Sequence, residues 1–99
     1  MIEDVEIIDN EFLRQFELEI GDNMARIEYA LQDRKIFLTK YEMPEDLEDQ
    51  GFRDIFIKAV FDEVRERGIS VMPTSPEVVG FLRKNRRKYK DLLPVGINI

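Results

Sequence analysis

Two residue types that often carry enzyme chemistry are missing from this chain: its 99 residues contain no cysteine and no histidine. The lack of cysteine excludes disulfides, thiolate nucleophiles and zinc–thiolate sites. The lack of histidine removes the commonest general base and the commonest metal ligand. Any chemistry must therefore use carboxylates, hydroxyls, tyrosine, lysine or backbone amides.

Long apolar runs are absent too, and no basic-then-apolar leader follows Met1. The composition is 43% hydrophobic and 36% charged, which is typical of one compact globular domain covering residues 1–99. We therefore expect a cytoplasmic protein that has no membrane partner and exists as a monomer or weak dimer.

The charges are unevenly distributed, although the net charge is only −6. Residues 1–50 contain 15 acidic and 5 basic side chains, while residues 51–99 contain 6 acidic and 10 basic ones. Overall acidity argues against a nucleic-acid partner. The single basic cluster, residues 83–90, is typical of the solvated cationic end of a helix, and the alternative is a patch for phosphate or an acidic partner.

Hydropathy patterning in the first half predicts strands. Apolar and polar side chains alternate over residues 15–20 and 25–31, with turn chemistry between them at residues 21–23. A third strand follows over residues 35–43. The simplest product is a three-stranded antiparallel meander, with residues 5–8 as an optional edge strand.

The second half predicts a helix, a strand and a helix. The first helix runs from about residue 50 to Arg67 and ends at Gly68. Its predicted apolar stripe comprises Phe52, Ile55, Phe56, Ala59, Val60 and Val64, with Ile57 and Phe61 at the flanks. A short strand at residues 69–72 should pair parallel with the strand ending near Met43, because a helix connects them.

The last helix is predicted over residues 75–87. Thr74 and Glu77 have the spacing of a capping box, and Pro76 occupies a position that the first helical turn tolerates. The side chains expected to be buried are Val78, Val79 and Leu82.

Between the third strand and the first helix lies an acidic turn, residues 44–51. A strand, a short loop and a helix N-terminus together favour an anion, since the first helical N–H groups lack internal partners. Glu48 and Asp49 in this turn oppose a phosphate. A calcium-binding loop starting at Asp46 is excluded by Ile57 at its twelfth position. We predict no metal site, and the alternative is a looser, non-specific surface cation site among Glu45, Asp46, Glu48 and Asp49.

A series of short motifs is found along nearly the whole chain: Phe16-Glu-Leu18, Ile27-Glu-Tyr29, Tyr41-Glu-Met-Pro44, Asp49-Gln-Gly51, Gly68-Ile-Ser-Val-Met-Pro73, Ser75-Pro76 and Tyr89-Lys-Asp-Leu92. These anchors, correctly spaced, and the order of the elements resemble the short, single-domain branch of the GNAT superfamily of acetyl-coenzyme A-dependent N-acetyltransferases. The resemblance implies an α+β, GNAT-like fold, an acetyl-CoA cofactor and an unknown amine substrate.

The sequence departs from the family pattern at the functional positions. Lys40 and Tyr41 replace the family's His and Thr, and Ser75 replaces its Cys. Residues 48–53 replace the R-G-x-G-x-A/G loop whose amides wrap the cofactor diphosphate, and only Gly51 is kept. The resemblance therefore implies a GNAT-like N-acetyltransferase with weakened or lost CoA binding, and the alternative is a non-catalytic binding or assembly module.

The resemblance also assigns candidate roles, each with a structural alternative. The catalytic candidates are Glu42 as base, Ser75 as hydrogen-bond donor, and Tyr41, with Tyr89, as proton donor to a thiolate. The structural alternatives are a solvated carboxylate for Glu42, a helix cap for Ser75, and packing aromatics for the two tyrosines. The cofactor-binding candidates are Met43, Gln50, Gly51, Phe52 and Arg53, although Gly51 could be a turn glycine and Arg53 could pair with Glu48 or Asp49.

Overall fold

The computed structural model describes residues 5–94, 96 and 97. None of the helices in this part of the chain has the length and apolarity needed to cross a bilayer. The strands are β1 (Ile8–Asn10), β2 (Gln15–Ile20), β3 (Asn23–Gln32), β4 (Lys35–Glu42) and β5 (Ser70–Pro73). The helices are α1 (Glu45–Asp49), α2 (Phe52–Arg67), α3 (Pro76–Lys84) and α4 (Arg86–Tyr89), followed by a 3₁₀ turn at Lys90–Leu92.

The five strands form one sheet in the order β1-β2-β3-β4-β5. Neighbours from β1 to β4 pair antiparallel, and β5 pairs parallel with β4 along Lys35–Leu38. The predicted α+β fold, its meander and its parallel last pair are thus confirmed.

The predicted edge strand was placed too early in the chain. Residues 8–10, rather than 5–8, pair with β2. Val5 and Ile7 instead pack, partly buried, against the core. Side-chain bonds fix the observed position, because Asp9 accepts a hydrogen bond from the Tyr29 hydroxyl and the Asn10 amide donates to Glu17.

A β-bulge in β4 decides which side chains face the core near its end. Tyr29 pairs with Leu38, but Glu28, the residue before Tyr29 in β3, pairs with Lys40, so Thr39 is the extra residue. Directly paired residues share a face of the sheet. Tyr41 therefore shares the core face with the buried Ile27, and Glu42 lies on the opposite face.

Helix α2 is the central core element, as predicted, but its buried stripe is turned toward α3 and α4. Ile55 and Ala59 are only partly buried, whereas Ile57 and Phe61 are fully buried. Phe61 lies edge-on to two aromatic rings, at 5.3 Å from Phe81 and 5.2 Å from Tyr89 between centroids. The helix is thus covered by aromatics as well as by the sheet, which explains the shift.

The last helix is shorter than predicted and is interrupted. It ends at Lys84, and Asn85 at its C-cap donates to the Phe81 carbonyl both from its backbone amide, at 3.0 Å, and from its side-chain amide, at 2.9 Å. Val78 and Leu82 are buried as expected, but Phe81 is buried in place of Val79.

Candidate functional site

A groove opens where β4 and β5 separate. The two strands pair only as far as Leu38 and Pro73. The Leu38 carbonyl then accepts hydrogen bonds from the Thr74 and Ser75 amides and from the Thr74 hydroxyl, so the predicted capping box does not form. Beyond this point β4 continues to Glu42, paired in the described structure with β3 alone. One edge of the last residues of β4 therefore faces the groove.

The groove has a volume of about 630 Å³ and is lined by both charged and apolar side chains. Arg26 of β3, Tyr41 of β4, Arg53 of α2 and Glu77 of α3 converge on it. The full lining is Met24, Arg26, Tyr41, Glu42, Met43, Pro44, Glu48, Arg53 and Glu77.

The acidic turn predicted after β4 is largely the short helix α1. Pro44 stands at its N-cap, where its φ of −57° suits a helix start, and acidic residues in the first turn complement the helix dipole. Leu47 is buried and anchors the helix to the core. Asp49 is exposed, so only Glu48 of the two loop carboxylates lines the groove.

Gly51 connects α1 to α2 in a left-handed conformation, with a φ of +86°. A β-carbon there would meet nothing within 4 Å, so the backbone conformation, rather than crowding, favours glycine. Its amide donates to the Glu48 carbonyl at 3.1 Å. Gly51 is therefore a turn glycine at the N-terminus of α2, next to open space.

Tyr41, Glu48 and Arg53 form a cluster in the groove, named the groove cluster below. Arg53 Nε donates to Glu48 Oε1 at 2.7 Å, and the Tyr41 hydroxyl lies 3.1 Å from Glu48 Oε2. The Arg53 guanidinium also lies over the Tyr41 ring, 5.5 Å from its centroid. Burial, together with the nearby Glu48 charge, raises the pKa of Tyr41 far above its ordinary value, so the hydroxyl stays protonated at neutral pH.

Glu42 is held by two cations on the outer side of the groove. Arg26 forms a salt bridge to one carboxylate oxygen, and Lys40 Nζ lies 3.3 Å from the other. The hydrogen bonds from Arg26 and Lys40 lower the pKa of Glu42 below its ordinary value. A carboxylate stabilised in this way is a weaker base, which counts against Glu42 as the general base. The assignment of Glu42 to that role stays a prediction.

Ser75 is buried at the N-cap of α3, but its hydroxyl makes no capping bond. Instead, its Oγ donates to Glu77 Oε1 at 2.7 Å, and this bond lowers the pKa of Glu77. Ser75 therefore occupies the N-cap position, as the structural alternative predicts, but its side chain does not cap the helix. Ser75 reaches the groove through Glu77.

The remaining predicted residues divide between the groove and the core. The Met43 sulfur lies 3.2 Å from the Tyr41 hydroxyl. The Gln50 side chain is exposed and donates to the Asp46 carbonyl, whereas the Phe52 side chain is buried in the core. Neither residue is among those that line the groove. Tyr89 lies outside the groove, because its ring packs on Phe61 and its hydroxyl reaches Asp62 at 3.3 Å.

Two charged groove residues were not among the sequence candidates. Arg26 gave no signal, because it looks like any solvated residue of an alternating strand. Glu77 was noticed only as a capping partner, yet it lines the groove near Arg53, whose charge helps to lower its pKa. Across residues 5–94, 96 and 97, no group of acidic side chains is arranged to hold a metal ion.

Comparison with known proteins agrees with this geometry. The sequence profile of the GCN5-related N-acetyl-transferase family matches residues 15–92. The solution NMR structure of a GCN5-like protein from Staphylococcus aureus, described as a candidate N-acetyltransferase, superposes with a TM-score of 0.69. That match has 23% sequence identity and covers 98% of this chain and 94% of the other, so it shows the fold.

No curated protein matches the chain at a significant level. The family profile nevertheless spans β2 to the final 3₁₀ turn, including every element that lines the groove. The chain belongs to the GCN5-related N-acetyltransferase family.

Proposed function

We propose that this protein transfers an acyl group from an acyl-CoA thioester to an amine in the groove at the end of β4, with weakened affinity for the cofactor diphosphate. The observation that carries the proposal is the separation of β4 from β5 after Leu38, which leaves a strand edge facing a groove beside the N-terminus of α2. Family membership supplies the reaction class.

The groove fits one part of acyl-CoA better than another. The open edge of β4 can bind an extended arm through backbone hydrogen bonds, as an added strand does. The left-handed Gly51 leaves the turn accessible at the start of α2. The diphosphate fits less well, because Glu48 lies in the groove and already binds the guanidinium of Arg53.

The chain's own residues would divide the remaining work. When bound, acyl-CoA would supply a thioester carbonyl that an amine can attack. Glu77 would attract a cationic amine, since its carboxylate stays ionised at neutral pH. The Tyr41 hydroxyl, held protonated, would donate a proton to a departing thiolate, but its raised pKa makes it a weak acid, just as the lowered pKa of Glu42 makes that carboxylate a weak base. Water, or the weakened base Glu42, would take the amine proton, and a backbone amide near Met43 would stabilise developing negative charge.

A second candidate function, a non-catalytic binding or assembly module, is favoured by a different observation. In the groove cluster one carboxylate satisfies both the Arg53 guanidinium and the Tyr41 hydroxyl. If these bonds persist with cofactor present, the phosphate-binding cation and the proton donor are both engaged internally. A chain in that state would keep the fold without transferring an acyl group.

The direct test restores the family loop with Glu48→Arg, Asp49→Gly and Arg53→Gly and measures acetyl-CoA binding by calorimetry at low and high salt. A carboxylate about 4 Å from a phosphate charge costs on the order of 4 kcal/mol near a protein surface, and Arg53 offsets part of this. We expect the native chain to bind more weakly than about 1 μM and the restored loop to bind at least about tenfold more tightly.

Glu66→Arg is the matched control, because it changes the net charge by the same amount at the far end of α2, where the residue is exposed. Native binding at micromolar affinity, or no gain on restoring the loop, would show that the loop does not limit the cofactor. Acetylation of a panel of small amines by the restored chain would support the acyltransferase. Cofactor binding without transfer would favour the binding module.

A further inference from the structure

We propose that the exposed arginine surface at the end of α3 binds the 3′-phosphate of the CoA nucleotide and supplies countercharge that the loop lacks. The surface, named the arginine surface here, consists of residues 83–88 and forms a concavity of about 470 Å³. This assignment rests on the acyl-CoA function proposed above. It places the phosphate contacts on α3 and α4 instead of on the loop after β4.

The structure brings this surface to the first turn of α2. Lys84 Nζ lies 3.0 Å from Asp54 Oδ2, one residue beyond Arg53. At its other end, α3 contributes Glu77 to the groove that Arg53 also lines. Both ends of α3 therefore lie near the start of α2, where the cofactor diphosphate would sit. A ligand leaving the groove past this turn would meet the arginine surface next.

The cations of this surface are available to a ligand. Arg83, Arg86 and Arg87 are exposed, and within the described residues they make no hydrogen bond or salt bridge. By contrast, the arginines at positions 26, 53, 65 and 67 each bind a carboxylate. Arg14 and Arg34 also lack a carboxylate partner among the described residues, but they lie in separate turns. Three such arginines within residues 83–87 repel one another, which favours an anion.

The residue type indicates a phosphate. A guanidinium offers a planar fork of donors that matches two phosphate oxygens, and Arg83 and Arg87 are four residues apart in sequence. CoA carries a ribose 3′-phosphate at the nucleotide end, remote from its thioester. That group can be removed without altering the diphosphate or the pantetheine arm, which makes the assignment testable.

The experiment titrates the native chain with CoA and with 3′-dephospho-CoA and follows backbone amides by NMR. We expect CoA to bind about tenfold more tightly, with amide shifts in residues 83–88 that dephospho-CoA does not cause. In Arg83→Gln with Arg87→Gln, the preference should fall to about twofold or less. Arg34→Gln with Lys35→Gln is the matched control, since it removes the same charge at the opposite end of β4 and should keep the preference.

The possible results separate this inference from the proposed function. A preference that the arginine variant loses and the control keeps supports the inference. Equal binding of both ligands, or a preference that the arginine variant keeps, overturns it while leaving the acyl-CoA groove intact. Failure of both ligands to bind, in the native chain and with the restored loop at residues 48–53, overturns the inference and the proposed cofactor together. Adenosine 3′,5′-bisphosphate, which lacks the pantetheine arm, should shift the same amides in the native chain; no shift there would also count against the inference.

Discussion

The molecule uses the same three kinds of side chain in two places with different results. The groove cluster joins Tyr41 and Arg53 through Glu48. Near the other end of α2, Tyr29 and Arg67 are joined through Asp9, in what is named the brace cluster here. In each, one carboxylate accepts from a tyrosine hydroxyl and an arginine, and the guanidinium lies over an aromatic ring, that of Tyr41 or that of Phe16.

The two clusters differ in exposure and in what they connect. The side chains of Arg67 and Asp9 are 30% and 17% exposed, against 44% and 31% for Arg53 and Glu48. The brace cluster joins β1, β3 and α2, whereas the groove cluster joins neighbouring segments beside an open groove. A charged pair screened by water contributes little to stability, whereas removing one partner of a more buried pair is costly, because the other charge is left without compensation. We infer that the brace cluster stabilises the fold, while the groove cluster can exchange partners with a ligand.

The core beneath both clusters sets the scale for any loss of stability. Phe56 of α2 is fully buried. Phe56→Ala should lower the free energy of unfolding by about 3–5 kcal/mol, because it removes a large apolar group and leaves a cavity. Urea denaturation checks this, with Phe12→Ala as the control, since Phe12 is 93% exposed and its loss should cost less than about 0.5 kcal/mol. A loss below about 1 kcal/mol for Phe56→Ala would contradict the packing of α2.

High pH should weaken the brace cluster through Tyr29. Burial, with a smaller effect from the Asp9 hydrogen bond, raises the pKa of Tyr29 from 10.0 to about 12. The folded chain then holds this proton more tightly than the unfolded chain, so stability is fully present below pH 10 and is lost as pH rises toward 12. The contribution of Tyr29 to the free energy of unfolding should fall by about 1 kcal/mol at pH 11 and by about 3 kcal/mol above pH 12.

The measurement compares urea denaturation of the native chain and Tyr29→Phe from pH 8 to pH 12. The pKa values of Tyr41 and Tyr89 are raised as well, so only the difference between the two chains reports on Tyr29. The variant should lose less stability over this range than the native chain. Parallel pH dependence of the two would show that Tyr29 titrates normally.

The fold could largely be predicted because burial leaves a periodic record in the sequence. Alternation located β2 and β3, and helical spacing located α2 with Phe52, Phe56 and Val60 in the core. The rotation of α2 toward Phe61 could not be predicted, because it depends on rings from the end of the chain. Likewise, helix α1 could not be predicted, because its packing depends on one buried residue, Leu47, in an acidic run whose composition is also typical of a turn.

The arrangement of the site was harder to predict, for a local and a long-range reason. The bulge at Thr39 places Tyr41 on the core face and Glu42 on the other, and nothing in a run of mixed strand residues marks it. The pairing of Arg26 with Glu42 joins residues 16 positions apart in sequence. The sequence candidates therefore include four of the residues that line the groove, Tyr41, Glu42, Met43 and Arg53, but the sequence did not show which charges neutralise each other.

Removing the Asp9 charge should lower the stability of the fold more than the matching change in the groove cluster does. Asp9→Asn keeps the shape but takes the ionised acceptor from both Tyr29 and Arg67. We expect the free energy of unfolding to fall by about 1–3 kcal/mol, as for a part-buried bond to a charged group. Urea denaturation at pH 7 checks it, with exposed Asp49→Asn as the control. A change no larger than that of the control would mean that the brace cluster does not stabilise the edge strand.

The matching change in the groove cluster, Glu48→Gln, should leave the free energy of unfolding within about 0.5 kcal/mol, because the Arg53 side chain is 44% exposed and Glu48 is 31% exposed, so water screens this pair more than it screens Asp9 and Arg67. Its effect should appear in the groove instead. Loss of the Glu48 charge should lower the pKa of Tyr41, which stays above its ordinary value because burial is the larger cause. Ultraviolet titration of tyrosine ionisation, with Tyr41→Phe to assign the signal, measures this shift. A stability loss as large as that of Asp9→Asn, with no change in the Tyr41 titration, would show that the groove cluster is a second structural brace and that Arg53 is not free to meet a ligand.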